Sequence, residues 1–581
     1  MDLFQMIKEK RKLFLISVGI VLLIHLIKFT NYYPNWDSVR GVETGYWGMT
    51  SLGRWFSGIS LRLLHSPYDL QWVEGVVSSI FIALSIMLIL EVFEIKKTIF
   101  IYLCTFLFAA FPSIAATFCF MPWAPSYMLA LFMAVFATYL CTRPEPNKKI
   151  IVSSIVLLTL SLGIYQIYYA VAFIIFLYFL ANQLLDPNKK IQDYKKQIKA
   201  FALSALLSAA LYIIITKIVL LTLKADLSEY QGISRSGQMS FAEYLRAIKR
   251  VCLSFNDFFY GAQIKSIINI ICIILICCGI IHFILDKKLK KDLRIFLLLI
   301  FLSLIPVTHC LSFLFPENLF LARIDFFIFK YLTLNFILAL KTPYLLINII
   351  FSLLTIYLFY VCVLRNKDFK FSKKIILCLL FASAVPLTYS MFFVSAGVNY
   401  HRVMELGIFF IYLIVPLLLN HKNPDTKQWI DKLAVIMLAI LCFYHFINDN
   451  IAYKQMEISY KKTSFEATQV LLEIDKLNND DKYCLALIGN FPAKRSQIES
   501  FPRITGADTK NFLETPYHFL IFSEYYFGRK FSACGDDKKT ELENRPDFIE
   551  MPEYPKAGFA KIIDDMIVVK LHNDRPPISS L

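Results

Sequence analysis

Charge is scarce in this chain: Asp, Glu, Lys and Arg together make up 18% of its 581 residues, where a soluble domain carries about 25%. Glycine is scarcer still, at 19 residues, which excludes a collagen-like chain and the small-residue pattern of a porin barrel. The sequence has no GxxxxGK[ST] and no GxGxxG opening a helix, so nucleotide hydrolysis and dinucleotide chemistry have no foothold. It also has no HExxH and no CxxC. Most of the 13 cysteines lie in apolar runs, including the vicinal pair Cys277 and Cys278, where a thiol acts as a small hydrophobe. Cys484 and Cys534 are the only two beyond residue 450, and an oxidising compartment would favour a bridge between them. The net charge of +16 sits in short clusters between apolar runs of the first 450 residues. That is how membrane orientation is written, and it excludes a nucleic-acid partner.

What the chain has in abundance is long apolar runs, and a helix needs roughly 20 such residues to cross a bilayer. About thirteen runs qualify, near 13–29, 75–93, 98–118, 126–141, 150–163, 166–182, 198–220, 266–285, 295–315, 343–364, 375–394, 403–420 and 433–449. The first follows Lys8, Lys10, Arg11 and Lys12 without a cleavage site, so it reads as a retained helix with a cytoplasmic N-terminus. Basic clusters then fall on alternate junctions, at 94–97, 143–149, 189–199, 286–294, 365–374 and 422–432. The junctions between them, at 31–72, 120–126, Gly163, 222–265, 316–342 and 395–402, share the far side with the tail. The segment 316–342 is apolar enough to be re-entrant or a further span. The expected fold is an α-helical polytopic membrane protein over residues 1–450, followed by a soluble α/β domain over 451–581. In that tail a helix is expected over 453–477, a strand in "YCLALIGN", and a hairpin around Asp564 and Asp565.

The junction 222–265 contains "MSFAEYLRAIKRVCLSFNDFFYG". Tyr244, Ile248, Val251 and Phe255 recur there at helical spacing opposite Glu243, Arg246, Lys249 and Arg250, which predicts an amphipathic helix lying in the interface. The densest polar cluster is the first far-side loop, where Asp37, Arg40, Glu43, Arg54 and Arg62 sit among Trp36, Tyr46, Trp47 and Trp55. Carboxylates there can abstract protons, guanidiniums can clamp phosphate, and aromatic faces can hold sugars. The plain alternative is a wet loop with interfacial aromatics. Other far-side junctions add Trp123 and Ser126, Tyr165 and Gln166, Arg323 and Asp325, and His401, Arg402 and Glu405. Arg402, at the start of a late span, is the strongest cation, with snorkelling to the interface as its alternative reading.

An acidic residue soon after the first span, then Gly53-Arg54-Trp55, "SYMLALFMAVFATYL", "LSLGIYQIYYAVAF", an Arg opening a late span and a soluble tail follow one another in order. This set resembles the bacterial and phage serotype-converting O-antigen glucosyltransferases of Gtr type II, from about Asn31 to Arg402. The resemblance implies the GT-C class: an inner-membrane enzyme that takes glucose from undecaprenyl-phosphate glucose and passes it, with inversion, to O-antigen polysaccharide or its lipid-linked form on the periplasmic side. It implies Asp37 as base, with Glu43 in reserve, and Arg54, Arg402, Arg40 and His401 around the donor phosphate. Trp36, Trp47, Trp55, Trp123, Tyr165 and Gln166 would then hold sugars. No cofactor is expected and a divalent metal is not excluded. The paired acids frequent in the family are absent, since Asn35-Trp36 precede Asp37 and Pro122-Trp123-Ala124-Pro125-Ser126 carry no acid. An O-antigen polymerase is the nearest rival enzyme, and a flippase or transporter for lipid-linked sugar the nearest non-enzyme.

Overall fold

The computed structural model describes residues 3–39, 49–64, 70–260, 343–421, 428–477, 483–491, 498–513 and 515–572. Among them, eight helical segments are long and apolar enough to cross a membrane: Gln71–Val92, Thr98–Cys119, Met121–Thr142, Ile167–Leu184, Ile191–Leu223, Tyr344–Leu364, Phe371–Thr388 and Gln428–Lys476. Arg11–Ile24, Lys148–Ile164 and Leu406–Asn420 are shorter apolar helices over three more of the expected runs. The expected spans 266–285 and 295–315 and the segment 316–342 lie outside the described residues. The chain is a helical membrane protein, and residues such as Leu206, Ile213, Ile218 and Leu221 on one helix stay exposed as a lipid-facing surface would.

One helix break follows a proline. Phe111 is extended because Pro112 disfavours helical geometry in the residue before it, so Thr98–Ala109 stops and Pro112–Cys119 restarts with proline in its first turn. Asn147 starts Lys148–Ile164 by accepting the Ile150 N–H at 3.0 Å. The expected boundary at 450/451 is crossed by one helix, Gln428–Lys476, of 49 residues, about 70 Å long. Nothing stops it there, since the segment contains neither proline nor glycine. Its first half lies in the bundle. Ala467, Val470, Leu471 and Ile474 of its second half join Leu485, Phe519, Phe522, Ile567 and Val569 in the core of the C-terminal segment.

That segment holds a three-stranded sheet in the order β1-β3-β2, with β1 Cys484–Ile488, β2 Ala560–Ile563 and β3 Met566–Lys570. β1 runs parallel to β3, and β2 antiparallel to it through the expected hairpin at Asp564 and Asp565. Asp564 sits at φ 54°, a conformation Asp tolerates in turns. Alternation sends Leu485, Leu487, Ile567 and Val569 to one core and Ala486, Ile488, Met566 and Val568 to the other, so the sheet is buried on both faces. Cys484 and Cys534 are disulfide-bonded, with Cα atoms 5.0 Å apart.

The expected amphipathic helix spans Phe241–Tyr260. Ala247, Val251, Phe258 and Phe259 are buried, while Tyr244 and Ile248 are exposed. Arg250 donates to the Ala396 carbonyl at 2.6 Å and to that of Val398, with its guanidinium 4.1 Å from the Phe392 ring centroid.

The junctions sort into two groups by contact. At one end Lys97 pairs with Asp431 at 2.8 Å and Lys196 with Glu145 at 2.8 Å. There His421 meets Asn182 at 3.0 Å, and Lys373 donates to the Asp186 carbonyl at 2.7 Å. These are the basic junctions. At the other end the Phe56 N–H donates to the Gly163 carbonyl at 2.8 Å, joining the first loop to the turn between Lys148–Ile164 and Ile167–Leu184. The Trp55 ring covers Gly163 so closely that a Cβ there would lie 2.8 Å from it.

Two stability predictions follow from this framework. Gly163→Ala should destabilise the protein by about 1–3 kcal/mol through overpacking against Trp55, read as a lower unfolding midpoint in detergent. An unchanged midpoint would show that Trp55 does not seat there. The bridge closes a loop with a sequence separation of 50. Replacing Cys484 and Cys534 together by Ser should therefore cost about 2–4 kcal/mol. Non-reducing peptide mapping that found both thiols free in membranes would exclude the bridge.

Candidate active site

Arg54 is the centre of the polar cluster at the end that carries the first loop. A short turn, Thr50–Leu52, ends at Gly53 with φ 72°, and a Cβ there would fall 2.5 Å from the Tyr212 hydroxyl. Only glycine fits this close left-handed turn, which delivers Arg54 into a group of tyrosines. Its Nη1 donates to the Tyr127 hydroxyl at 3.1 Å and approaches the Met49 sulfur at 3.6 Å. Its guanidinium lies 4.6 Å from the Tyr165 ring centroid. Tyr165 and Tyr127 are themselves stacked, with centroids 4.6 Å apart and planes 9° from parallel. Tyr212 and Tyr230 stand within electrostatic reach. The Arg54 Nε is buried without a hydrogen-bond partner. No carboxylate among the described residues forms an ion pair with Arg54.

Gln166 braces the turn from beneath by donating to the Leu52 carbonyl and to the Tyr212 hydroxyl, each at 2.9 Å. His401 reaches the cluster from the 395–402 junction. Gln231 contacts its Nε2 at 3.1 Å, and Ser395 bonds the Gln231 carbonyl at 2.9 Å, tying this junction to the 228–237 loop. Burial first, and the Arg54 charge second, hold the His401 imidazole below its ordinary pKa. A neutral ring can accept the Gln231 amide N–H at Nε2.

Asp37 lies half-buried in a helical turn that begins at Trp36. Asn35 starts this turn, its Oδ1 accepting both the N–H and the hydroxyl of Ser38 at 3.0 Å. Trp36 stands edge-on to Phe120, centroids 6.2 Å apart. The Asp37 charge acts on Tyr127, the same tyrosine that Arg54 bonds. An acid and an arginine therefore act on the same tyrosine at the mouth of the bundle. Trp123 is buried beside Phe120, and Trp55 is committed to Gly163. Arg40, Glu43 and Trp47 lie outside the described residues.

Arg402, next to His401 in sequence, faces a different set of partners. Its guanidinium donates to Asp257 at 2.6 Å and to Glu405 at 2.7 Å, and rests 5.1 Å from the Phe258 ring centroid. Glu405 also accepts from the Tyr389 hydroxyl at 2.9 Å. The Arg402 Nε bonds the Arg503 carbonyl at 3.0 Å, and its backbone N–H bonds the Thr505 hydroxyl at 2.9 Å. The structure thus brings Asp37, Arg54, Tyr165, Gln166 and His401 around one locus and commits Arg402 to two carboxylates and the C-terminal segment. Tyr127, Tyr212, Tyr230, Gln231 and Asp257 are partners that sequence reasoning did not assign. The legible signal was an aromatic at the first or second turn after a far-side junction, which both Tyr127 and Tyr165 satisfy. Among the described residues no group of three His, Cys, Asp or Glu side chains is placed to hold a metal ion.

No curated protein and no solved structure gives a significant match to the chain. A protein-family model described as glucosyl transferase GtrII matches residues 26–340. That stretch contains Asp37, Arg54, Tyr127, Tyr165 and Gln166, and it covers more than half of the sequence. The chain therefore belongs to the GtrII glucosyl transferase family, and it is a membrane glycosyltransferase.

Proposed function

We propose that the protein moves a glucosyl group from undecaprenyl-phosphate glucose to O-antigen polysaccharide, with inversion, on the periplasmic face of the bacterial inner membrane. One observation carries this reading: Arg54 is a cation held on a tyrosine stack with an unpartnered, buried Nε and no carboxylate beside it among the described residues. A cation withdrawn from water without a counter-charge is costly, and an anionic group bound there would offset that cost with charge-assisted hydrogen bonds.

In the reaction the acceptor hydroxyl attacks the anomeric carbon as Asp37 takes its proton. The new carbon–oxygen bond forms while the bond from that carbon to the phosphate oxygen breaks. The electron pair leaves with the lipid phosphate, and Arg54 stabilises the growing negative charge. A carboxylate on the side of the sugar opposite the leaving group is what inversion requires. Glu43 is the reserve base, and Arg40 and Trp47 are proposed to line the same mouth. His401 is proposed to act here as a neutral hydrogen-bonding group. Arg402 serves as a positioning residue, since its guanidinium is already paired. The basic junctions would face the cytoplasm together with the N-terminus, and the C-terminal segment the periplasm.

Asp37→Asn should slow glucosylation by about 10² to 10⁴ fold with donor binding retained. Arg54→Ala should weaken donor binding and turnover together. The measurement is glucose content of O-polysaccharide from cells holding matched membrane levels of each variant. Full modification with Asp37→Asn would remove the base assignment, and loss with Glu43→Gln alone would move it to that residue.

His401 gives a prediction of pH dependence. Its folded pKa is lowered, so below the ordinary value of about 6.5 the unfolded chain binds the proton first and stability falls as pH falls. Melting midpoints between pH 7.5 and 5.5 should drop less steeply in His401→Gln than in the unaltered protein. Identical slopes would show that His401 does not stay neutral.

A further inference from the structure

Four helices end around one cavity, at the end of the bundle that carries the basic junctions. Its volume is about 330 Å³, the size of a small-molecule site. The walls are residues at or just past the C-termini of Gln71–Val92, Ile167–Leu184, Tyr344–Leu364 and Leu406–Asn420.

Buried amides fix these walls. Asn182 donates to the Phe93 carbonyl at 3.1 Å, and its Oδ1 meets His421 at 3.0 Å. Gln183 donates to Glu94 Oε1 at 3.0 Å and accepts from Lys189 at 2.6 Å and from Tyr194 at 2.9 Å. Three of the four helix ends are tied together in this way.

The charged groups on the cavity are less committed. Lys96 and the Asp368 carboxylate line it and form no ion pair with the described residues. Asp186 also lines it, and spends only Oδ1, on the Asn188 N–H at 3.0 Å. Asn366 accepts the Asp368 N–H at Oδ1, which leaves its amide nitrogen to donate. Burial first, and the Lys96 charge second, hold the His421 imidazole below its ordinary pKa, so it adds no cation.

A helix C-terminus carries roughly half a negative charge. Lys373 offsets one of the four through the carbonyls of Asp186, Pro187 and Lys189, at 2.7, 3.2 and 2.9 Å, and Lys374 another through that of Leu364 at 2.6 Å. No Lys or Arg among the described residues donates to the last carbonyls of Gln71–Val92 or Leu406–Asn420. A simple anion in the cavity would meet Glu94, Asp186, Asp368 and these two open helix ends. A simple cation would leave Lys96 unpaired. A ligand carrying both charges a few bonds apart satisfies both: a primary ammonium donates to carboxylates, and a phosphate accepts from Lys96 and the Asn366 amide. The ends of membrane helices lie at the depth of lipid headgroups, which present such a pair of charges.

We propose that this cavity binds the aminoethyl phosphate headgroup of a membrane lipid, with the ammonium on Asp186 and Asp368 and the phosphate on Lys96. The site lies at the other end of the bundle from Arg54 and does not depend on the transferase reading.

The experiment counts lipids bound to the full chain in detergent by native mass spectrometry, as phosphatidylethanolamine is titrated. Phosphatidylcholine is the control lipid, since its methylated nitrogen has no N–H, and soluble O-phosphoethanolamine is the control for a free ligand. The expected result is saturable binding of one phosphatidylethanolamine, with the half-saturating concentration about tenfold higher for phosphatidylcholine and for Asp368→Asn and Lys96→Gln. Both variants should keep the lipid-free unfolding midpoint of the unaltered protein, because neither side chain holds another described residue. Equal binding of the two lipids, or unchanged binding by both variants, would overturn the site. Loss of binding together with a lowered lipid-free midpoint in both variants would also overturn it, by making these residues part of the framework. Binding of O-phosphoethanolamine as tight as that of the lipid would overturn the assignment to a lipid headgroup.

Discussion

The seam between the helix bundle and the C-terminal segment is closed by the guanidinium of Arg402, gripped by Asp257 and Glu405 and bonded to the chain at Arg503. Around that clamp the two parts exchange side chains. Val39 of the first loop belongs to the core of the C-terminal segment, while Ile504 and Ala507 of that segment belong to the core of the bundle. Asn448 fixes the same stretch from the long helix, accepting the Phe501 N–H at 2.6 Å and donating to the Pro502 carbonyl at 3.1 Å. Removing one partner from a buried ion pair costs about 3–5 kcal/mol because it strands the other charge. Here Glu405 is the buried partner and Asp257 is half exposed, so most of the penalty falls on the Glu405 side.

Arg54 and Arg402 show how environment divides two residues of the same type. Arg402 has its charge balanced within the fold and so acts as a fastener. Arg54 has a hydroxyl, an aromatic face and a buried Nε without a partner. A cation–π contact contributes about 0.5–2 kcal/mol, less than the several kcal/mol lost when a charge leaves water. The difference is a standing attraction for an anion at the mouth of the bundle. The tyrosines make that attraction directional, because Tyr127 and Gly53 fix the guanidinium plane while Gln166 and Tyr212 support the turn beneath it. The charge of Asp37 also reaches Tyr127, so an acid and a cation act on one buried hydroxyl.

Much of the scaffold was legible along the chain. The apolar runs marked helices, Pro112 marked a break, and the alternation in "YCLALIGN" and "AKIIDDMIVVKL" marked strands that the sheet contains. These are local properties, set by hydropathy and by backbone freedom within a few residues. The amphipathic helix at Phe241–Tyr260 shows where local reading stops. Its periodicity was visible, but Arg250 also reaches carbonyls of residues 396 and 398, and no pattern within the helix encodes that contact. The continuous helix through residue 450 is similar: falling hydropathy marked a change of surroundings, while the backbone had no reason to stop.

The sequence by itself determined the class of protein, the family resemblance carried by Gly53-Arg54-Trp55 and the Leu162 to Gln166 run, and the set of polar residues available at the mouth. Tertiary structure alone decided which arginine is paired and which is not. Asp257 lies 145 positions from Arg402, and Tyr127 lies 73 from Arg54. Charge balance at a buried site is a sum over neighbours in space, so two arginines that look alike along the chain become a fastener and an open cation only once the helices have brought their partners together.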